Sequence, residues 1–375
     1  MRPQVYDAYW RFAAERQAIF HRRHRDEPAP WTDDPILKRY KFCNSYRASD
    51  RVSQFLIRHV IYDPSVCDLS PEDVFLRVVL FRLFSKEATW EALERATGGV
   101  RRASLDVVLL GDLLDDVRRY RPIYTAAFIL CAHNAYGNSA KHRNHLALVD
   151  HMFRRGGLGS QLARSQSLRD VYESLLAWPM IGPFLAYQIA IDLNYTEHLH
   201  FSEDDFTMPG PGAIRGLKKV YSDFGDRTPQ ELIMRMVELQ EEEFARLDIK
   251  FQDLFGRRLH AIDCQGLFCE VDKYSRQAFP ELKSARVRIK QEYKPATRPL
   301  PLFYPPKWGV NDLLTVKSAH SPTSQTVCEA SSFAPGQLEL MSVPGSAPSS
   351  PPRRSTRQQA TLRRFPRGGD ERDQI

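Results

Sequence analysis

The sequence predicts an all-α fold, and three observations predict it. Helix-start signals recur along the chain, with Ser or Thr before Pro and an acid three residues on. Apolar residues fall at helical spacing, with no sustained period-two alternation. Gly/Pro clusters interrupt the pattern, but no run of hairpin turns appears.

The elements follow in order. Residues 1–30 read as an N-terminal helix, and from about Tyr6 to Phe279 helix succeeds helix. "SPEDVFLRVVLFRLF" opens with Ser70 as N-cap, Pro71 at the first helical position and Asp73 at the third. Its Val74, Val78, Leu80, Phe81 and Phe84 mostly keep helical spacing. "KHRNHLALVDHMFRRGG" ends on basic residues and Gly156, as a helix C-terminus should. "SLRDVYESLLAW" places Ser167 and Asp170 as a capping box, and Thr228 with Glu231 repeats that signal around Pro229. These elements make one helical domain over residues 31–290, with a helical hairpin at 167–194. Residues 291–314, "YKPATRPLPLFYPPKWGV" at their heart, are Pro-rich and are expected to run extended over the helical body. Residues 315–375 are Ser/Pro- and then Arg-rich, too poor in apolar residues to fold. This basic tail can touch nucleic acid, serve as a nuclear address, or simply be solvated.

Composition narrows the function classes. Of 375 residues 42% are hydrophobic, enough for a real core. Lys and Arg exceed Asp and Glu by 53 to 46, a mild excess that permits an anionic partner without demanding one. The six cysteines form no Cys-x-x-Cys pair, so reduced, mostly buried thiols and no metal site are expected. The N-terminus has no apolar signal core, and the longest apolar run is too short to span a membrane. An intracellular, soluble protein is expected, nuclear in a eukaryotic host and cytoplasmic or nucleoid-bound otherwise. Neither Gly-x-x-x-x-Gly-Lys-(Ser/Thr) nor Gly-x-Gly-x-x-Gly occurs, so no nucleotide cofactor is expected in those modes.

Four constellations carry candidate chemistry. "WPMIGPFLAYQIAIDL" is a tight turn followed by a helix with a small-residue face at Ala186, Ile189, Ala190 and Leu193. Gly182 lets a phosphate approach amide groups at the helix start. The stretch resembles the helix-hairpin-helix of DNA glycosylases through Pro179, Ile181, Gly182 and Ala186, with Met180 replacing the first glycine. Pro183, Phe184 and Leu185 stand where lyase-type members carry Lys, and that superfamily's catalytic Asp would fall near Glu203, Asp204 and Asp205. These three carboxylates repel one another, so a raised pKa suited to acid/base work is expected among them. Gly210 and Gly212 then form a tight turn at a helix start, a candidate phosphate grip, followed by Arg215, Lys218 and Lys219. In "YKFCNSYRASDR", Arg47 and Arg51 fall one turn apart with Asp50 between them and Asn44 ahead, a set able to grip phosphate or to lock helices together. In "DCQGLFCEVDKYSR", Asp263, Glu270 and Lys273 share one helix face beside Tyr274, which reads as a lined cleft or a solvated face. Trp90 and Tyr136 are candidates for stacking a base, weaker than core packing; His133 and Asn134 accompany Tyr136.

Taken in order, "WTDDPIL…YKFCNSYRASDR", "LFRLFSKEATWEAL", "IGPFLAYQIAIDL", "FSEDDF…PGPGAIRGL" and "DCQGLFCEVDKYSR" resemble the helical domain of phage 5-hydroxymethyl-deoxyuridine DNA kinases and the related alpha-glutamyl/putrescinyl thymine pyrophosphorylases, over roughly Trp31 to Arg276. Cys43, Ser85 and Arg215 depart from the small polar residue, the Asn and the acid expected at those places. The resemblance implies a two-lobed, glycosylase-like helical fold and a part in thymine hypermodification: an amine or amino acid displaces phosphate from a phosphorylated 5-hydroxymethyluracil flipped out of DNA. It implies Glu203, Asp204 or Asp205 as general base, Gly182, Gly210, Gly212, Asn44, Arg47, Arg51 and Lys273 as DNA or phosphate contacts, and Asp50, Trp90, Glu270 and Tyr274 as cleft-lining. Without the kinase P-loop, the later transfer step is expected rather than phosphorylation. The expected partners are DNA and a small amine or amino-acid donor. A monofunctional glycosylase and a non-enzymatic DNA-binding module stay open.

Overall fold

The computed structural model describes residues 1–125, 134–282, 289, 291–294 and 301–314. The tail at 315–375, residues 295–300 of the Pro-rich segment, and Cys131, His133 and Cys328 lie outside the described residues. Those residues form α1 (Pro3–His24), α2 (Pro35–Arg39), α3 (Arg51–Phe55), α4 (Pro71–Phe84), α5 (Glu87–Thr97), α6 (Val107–Tyr120), α7 (Lys141–Asp150), α8 (Leu158–Ala163), α9 (Leu168–Leu176), α10 (Pro183–Leu193), α11 (Pro211–Val220), α12 (Pro229–Arg246), α13 (Ala261–Ala278) and α14 (Asn311–Leu314). Among them no strand occurs, only the isolated bridges Tyr40–Glu292 and Leu254–Arg257. The fold is all-α, and among the described residues no helix is long and apolar enough to cross a membrane.

The caps form as read. Ser70 accepts from the Asp73 amide, and Ser167/Asp170 and Thr228/Glu231 are reciprocal capping boxes. Each satisfies helix-start amides that would otherwise lack partners, a contribution of about 1 kcal/mol apiece. Two helices widen before they end, the second at Gly156 after basic residues, as read. α3 widens into a π-helical stretch at Leu56–Ile61, and α7 into another at His151–Arg155. The second wide turn ends at Gly156, where any side chain would overlap the Trp178 ring.

The principal helix pairings fall into two groups. In one, α4 and α10 are surrounded by α3 and its π-helical extension, α5 and α7 to α9. α4 is buried along its length from Val74 to Phe84, and α10 from Leu185 to Leu193, so neither shows the one-sided stripe of a surface helix. In the other, α13 packs on α1, α2, α11 and α12. There Trp10 meets Phe244 edge-on at 5.2 Å, and Tyr9 lies 4.7 Å from Phe268. The short 3₁₀ turn Arg47–Ser49 touches both α3 and α13 and so joins the groups.

α9 and α10 form the helical hairpin, with the turn at Ala177–Gly182. Met180, in the place of the usual first glycine, adopts a left-handed φ of 69°. The backbone keeps a glycine-like shape at a non-glycine residue, at a cost of about 1 kcal/mol. Ser85 closes α4 in the same left-handed region, where Asn is the better-tolerated side chain.

Close approach explains a glycine of the Pro-Gly-Pro-Gly turn and one inside α11. A side chain on Gly212 would overlap the Cys269 sulfur, and one on Gly216 would overlap the Phe268 carbonyl oxygen. Gly266, within α13, faces open space. Gly216→Ala is therefore expected to force α11 off α13 and destabilise by about 1–3 kcal/mol. Gly266→Ala should stabilise by roughly 0.5–1 kcal/mol, because a helix interior gains from the added Cβ. Urea midpoints of the two variants check both signs.

Candidate active site

The site begins at Arg47, which the 3₁₀ turn aims inward. Its backbone amide donates to Asp263 of α13 at 2.7 Å. Its guanidinium donates to Gln188 at 3.0 Å and Tyr195 at 3.2 Å, and pairs with Asp192 of α10 at 2.8 Å. Asp192 is fully buried and also pairs with Arg82 of α4. Arg47 is thus engaged in joining the two helix groups rather than facing a ligand. Arg51 does not share its face, because Asp50 restarts the chain as a new helix. Arg51 instead forms a two-pronged pair with Glu87, at 2.7 and 2.8 Å.

The adjacent carboxylates 203–205 point three ways. Glu203 is buried and accepts from Arg257 at 2.9 Å. Asp204 accepts from His260 at 2.9 Å and from the Ala261 amide at 2.8 Å, at the start of α13. Burial works against its charge, but the His260 and Ala261 bonds win and hold its pKa below the usual carboxylate value. The same pair raises the His260 pKa against the effect of burial. Asp205 is exposed, with a 3.3 Å bond from the Arg169 amide. Gly210 packs beneath Phe184, and Gly212 against Cys269. Gly182 begins α10 with open space before it.

Two carboxyls beyond this loop have raised pKa values. Burial, with neighbouring Glu203, lifts buried Asp263 to about 6, against bonds from the Arg47 and His260 amides that lower it. Desolvation, with Glu270 nearby, lifts Asp50 to about 6, opposed by a 2.8 Å bond from the Asn44 amide. Glu270 is buried, accepts from the Cys43 amide at 3.0 Å and pairs with Lys273 at 2.5 Å. Tyr274 donates to Asp34 at 2.6 Å. The structure thus gathers Asn44, Asp50, Glu270, Lys273 and Tyr274 around the junction of residues 34–50 with α13.

Asn44, Asp50 and Arg51 open onto a cleft of about 1470 Å³. Trp31, Tyr40, Phe42 and Tyr293 supply aromatic surface, and Arg23 lies 5.2 Å over the Trp31 ring. Six Lys or Arg residues line it against three acids, Asp26, Glu27 and Asp50, so its field favours an anion. One wall is the segment 301–314. Tyr304 is buried there on Ser49 at 2.7 Å, and Trp308 lies under Arg257 at 3.7 Å. Lys307 donates to the carbonyls of Asn194, Thr196 and Leu199, and burial lowers its pKa to about 8.

Trp90 is not on this cleft. It is 2% exposed, with Arg77 4.9 Å over its ring and Phe81 edge-on, and it borders a separate cavity of about 660 Å³. Tyr136 lies against His151 at 4.7 Å. Of the described cysteines Cys264 is buried and Cys269 half-buried, but Cys43 and Cys67 are exposed, so the expectation of mostly buried thiols fails for these two. Among the described residues no three His, Cys, Asp or Glu side chains are grouped to hold a metal.

Sequence reasoning missed Arg16, Asp192 and His260. Asp192 carried a signal, a lone acid inside "YQIAIDL", an otherwise apolar helix. Arg16 carried none, because α1 is rich in Arg throughout.

Comparison with known proteins adds two findings. The family described as "5-hmdU DNA kinase, helical domain" matches residues 3–284. The 5-hmdU DNA kinase of Bacillus phage SP10 is 24% identical over 300 residues, covering 72% of this chain and 45% of that protein. The chain therefore spans about half the length of this curated relative. No solved structure matches.

Asp50 makes stability depend on pH with a definite sign. Its folded pKa of about 6 lies above its ordinary value of 3.8, so the folded state binds the proton more tightly. The stability this contributes is full below the unfolded value and is lost as pH rises through about 6. Between about pH 5 and about pH 7.5 that loss is about 1 kcal/mol. Asp50→Asn keeps an acceptor for the Asn44 amide, so it should remove this part of the slope and stabilise the fold near neutrality. Thermal melts of both proteins across that range check it.

Proposed function

The chain belongs to the family of the 5-hmdU DNA kinase helical domain, and on that premise we propose that it modifies 5-hydroxymethyluracil in DNA at the Asp50 cleft. The observation that carries this reading is a carboxyl of raised pKa opening onto a cationic, aromatic-walled cleft large enough for a nucleotide. A pyrimidine flipped from its stack would enter between Trp31, Tyr40 and Phe42. Gly182, with open space before the start of α10, would meet the DNA backbone.

The reading places the reaction after phosphorylation of the hydroxymethyl group. An amine or amino acid attacks the exocyclic methylene. The C–N bond forms as the C–O bond breaks, phosphate leaves with the bonding pair, and the ammonium proton passes to the Asp50 carboxylate. Among the candidate acids, Asp50 takes this part in preference to Glu203 and Asp204, which already serve Arg257, His260 and the start of α13. Asp205, exposed near the hairpin, would be the acid of a glycosylase instead.

Nucleoside mass spectrometry of phosphorylated 5-hydroxymethyluracil DNA, incubated with the protein and amine donors, separates the readings. A heavier, intact nucleoside is expected. Asp50→Asn should lower its formation about 100-fold, and the wild-type rate should rise with pH through about 6, as the carboxyl ionises. Abasic sites that depend on Asp205 would instead make the protein a glycosylase. Salt-sensitive binding without any product would make it a binding module.

A further inference from the structure

We propose that Arg16 is the seat of a phosphate-monoester site at the floor of this cleft. Arg16 stands two turns before the end of α1 and is only 8% exposed, yet it lines the cleft. Its Nη1 is buried without a hydrogen-bond partner, and no described residue pairs with the guanidinium. A buried guanidinium left without an acceptor is costly, and proteins ordinarily neutralise or pair such a charge. The arginines at the nearby helix junction have acid partners: Arg47 and Arg82 share Asp192, and Arg51 has Glu87. Asp50, the acid that most influences Arg16, makes its hydrogen bond to the Asn44 amide instead. Arg16 lines the cleft, and a guanidinium's planar fork of donors matches two oxygens of one planar or tetrahedral oxyanion.

The depth of Arg16 selects the occupant. A backbone phosphodiester carries a sugar on each side and runs along a surface. A phosphate monoester is terminal and can protrude to a floor residue. Resting on the function proposed above, this monoester is the one carried by the modified base, and Arg16 would neutralise it as it leaves.

The test uses the full chain and two fluorescent single-stranded oligonucleotides, identical except that one carries 5-hydroxymethyl-deoxyuridine and the other its phosphorylated form. Wild type should bind the phosphorylated strand at least tenfold more tightly. Arg16→Gln should erase that preference and leave the hydroxymethyl strand unaffected, and Arg16→Lys should keep part of it. Because no hydrogen bond or close ion pair within the protein is lost and a buried charge is removed, the Gln variant should melt at or above the wild-type temperature. Equal loss on both strands would assign Arg16 to the DNA backbone and overturn the monoester. Unchanged binding, or a lower melting temperature, would make Arg16 structural and overturn the site. If wild type does not discriminate the strands, yet inorganic phosphate competes in an Arg16-dependent way, the oxyanion site stands and the reading of the modified base falls.

Discussion

The architecture depends on one buried carboxylate. Asp192 sits with no exposure between Arg47 and Arg82, so one charge from α10 holds both the 3₁₀ turn and α4. Such a pair is expensive to desolvate and is poor evidence of net stability, but removing one member leaves a buried charge at a cost of about 3–5 kcal/mol. Its value here is positional. The Arg47 amide is committed to Asp263 while its side chain is committed to Asp192, so one residue fixes α13 relative to α10. Asp50 follows three residues later, and its place at the cleft is inherited from that fixation.

Much of the scaffold was legible in the sequence because it is written locally. Ser70, Ser167 with Asp170, and Thr228 with Glu231 act within one turn of their own helices, and each caps as read. The family resemblance was legible for a different reason: several blocks in one order are specific even where each alone is weak, and the family match over residues 3–284 bears it out. What the sequence hides is side-chain direction in short irregular segments. Glu203, Asp204 and Asp205 are adjacent, but a bent loop sends them to three destinations. Arg47 and Arg51 are four residues apart, but a 3₁₀ turn that ends at Ser49 breaks the shared face. Arg16 was hidden by its own helix, where a buried arginine looks like any of its exposed neighbours.

The cleft also shows stability given up locally. Asp50 is less acidic than it would be in water, and Arg16 is buried without a hydrogen-bonding partner. Both are unfavourable for an empty fold, and both face the same space. Strain and uncompensated polarity collect where binding can relieve them, whereas the α11–α13 interface, with no such demand, is closed as tightly as glycine allows.

Lys307 ties down the loop that follows α10, whose own last carbonyls are capped within the turn. Its ammonium group collects the carbonyls of Asn194, Thr196 and Leu199, more than a hundred residues earlier in the chain. During synthesis the loop after this helix must therefore wait, with these carbonyls open, until a much later stretch has been made. The long sequence separation of this contact makes it slow to form. Chains released before that stretch would hold the helices but lack the wall of the cleft. The order of translation thus doubles as a checkpoint: the binding surface is finished last, after the core that carries it.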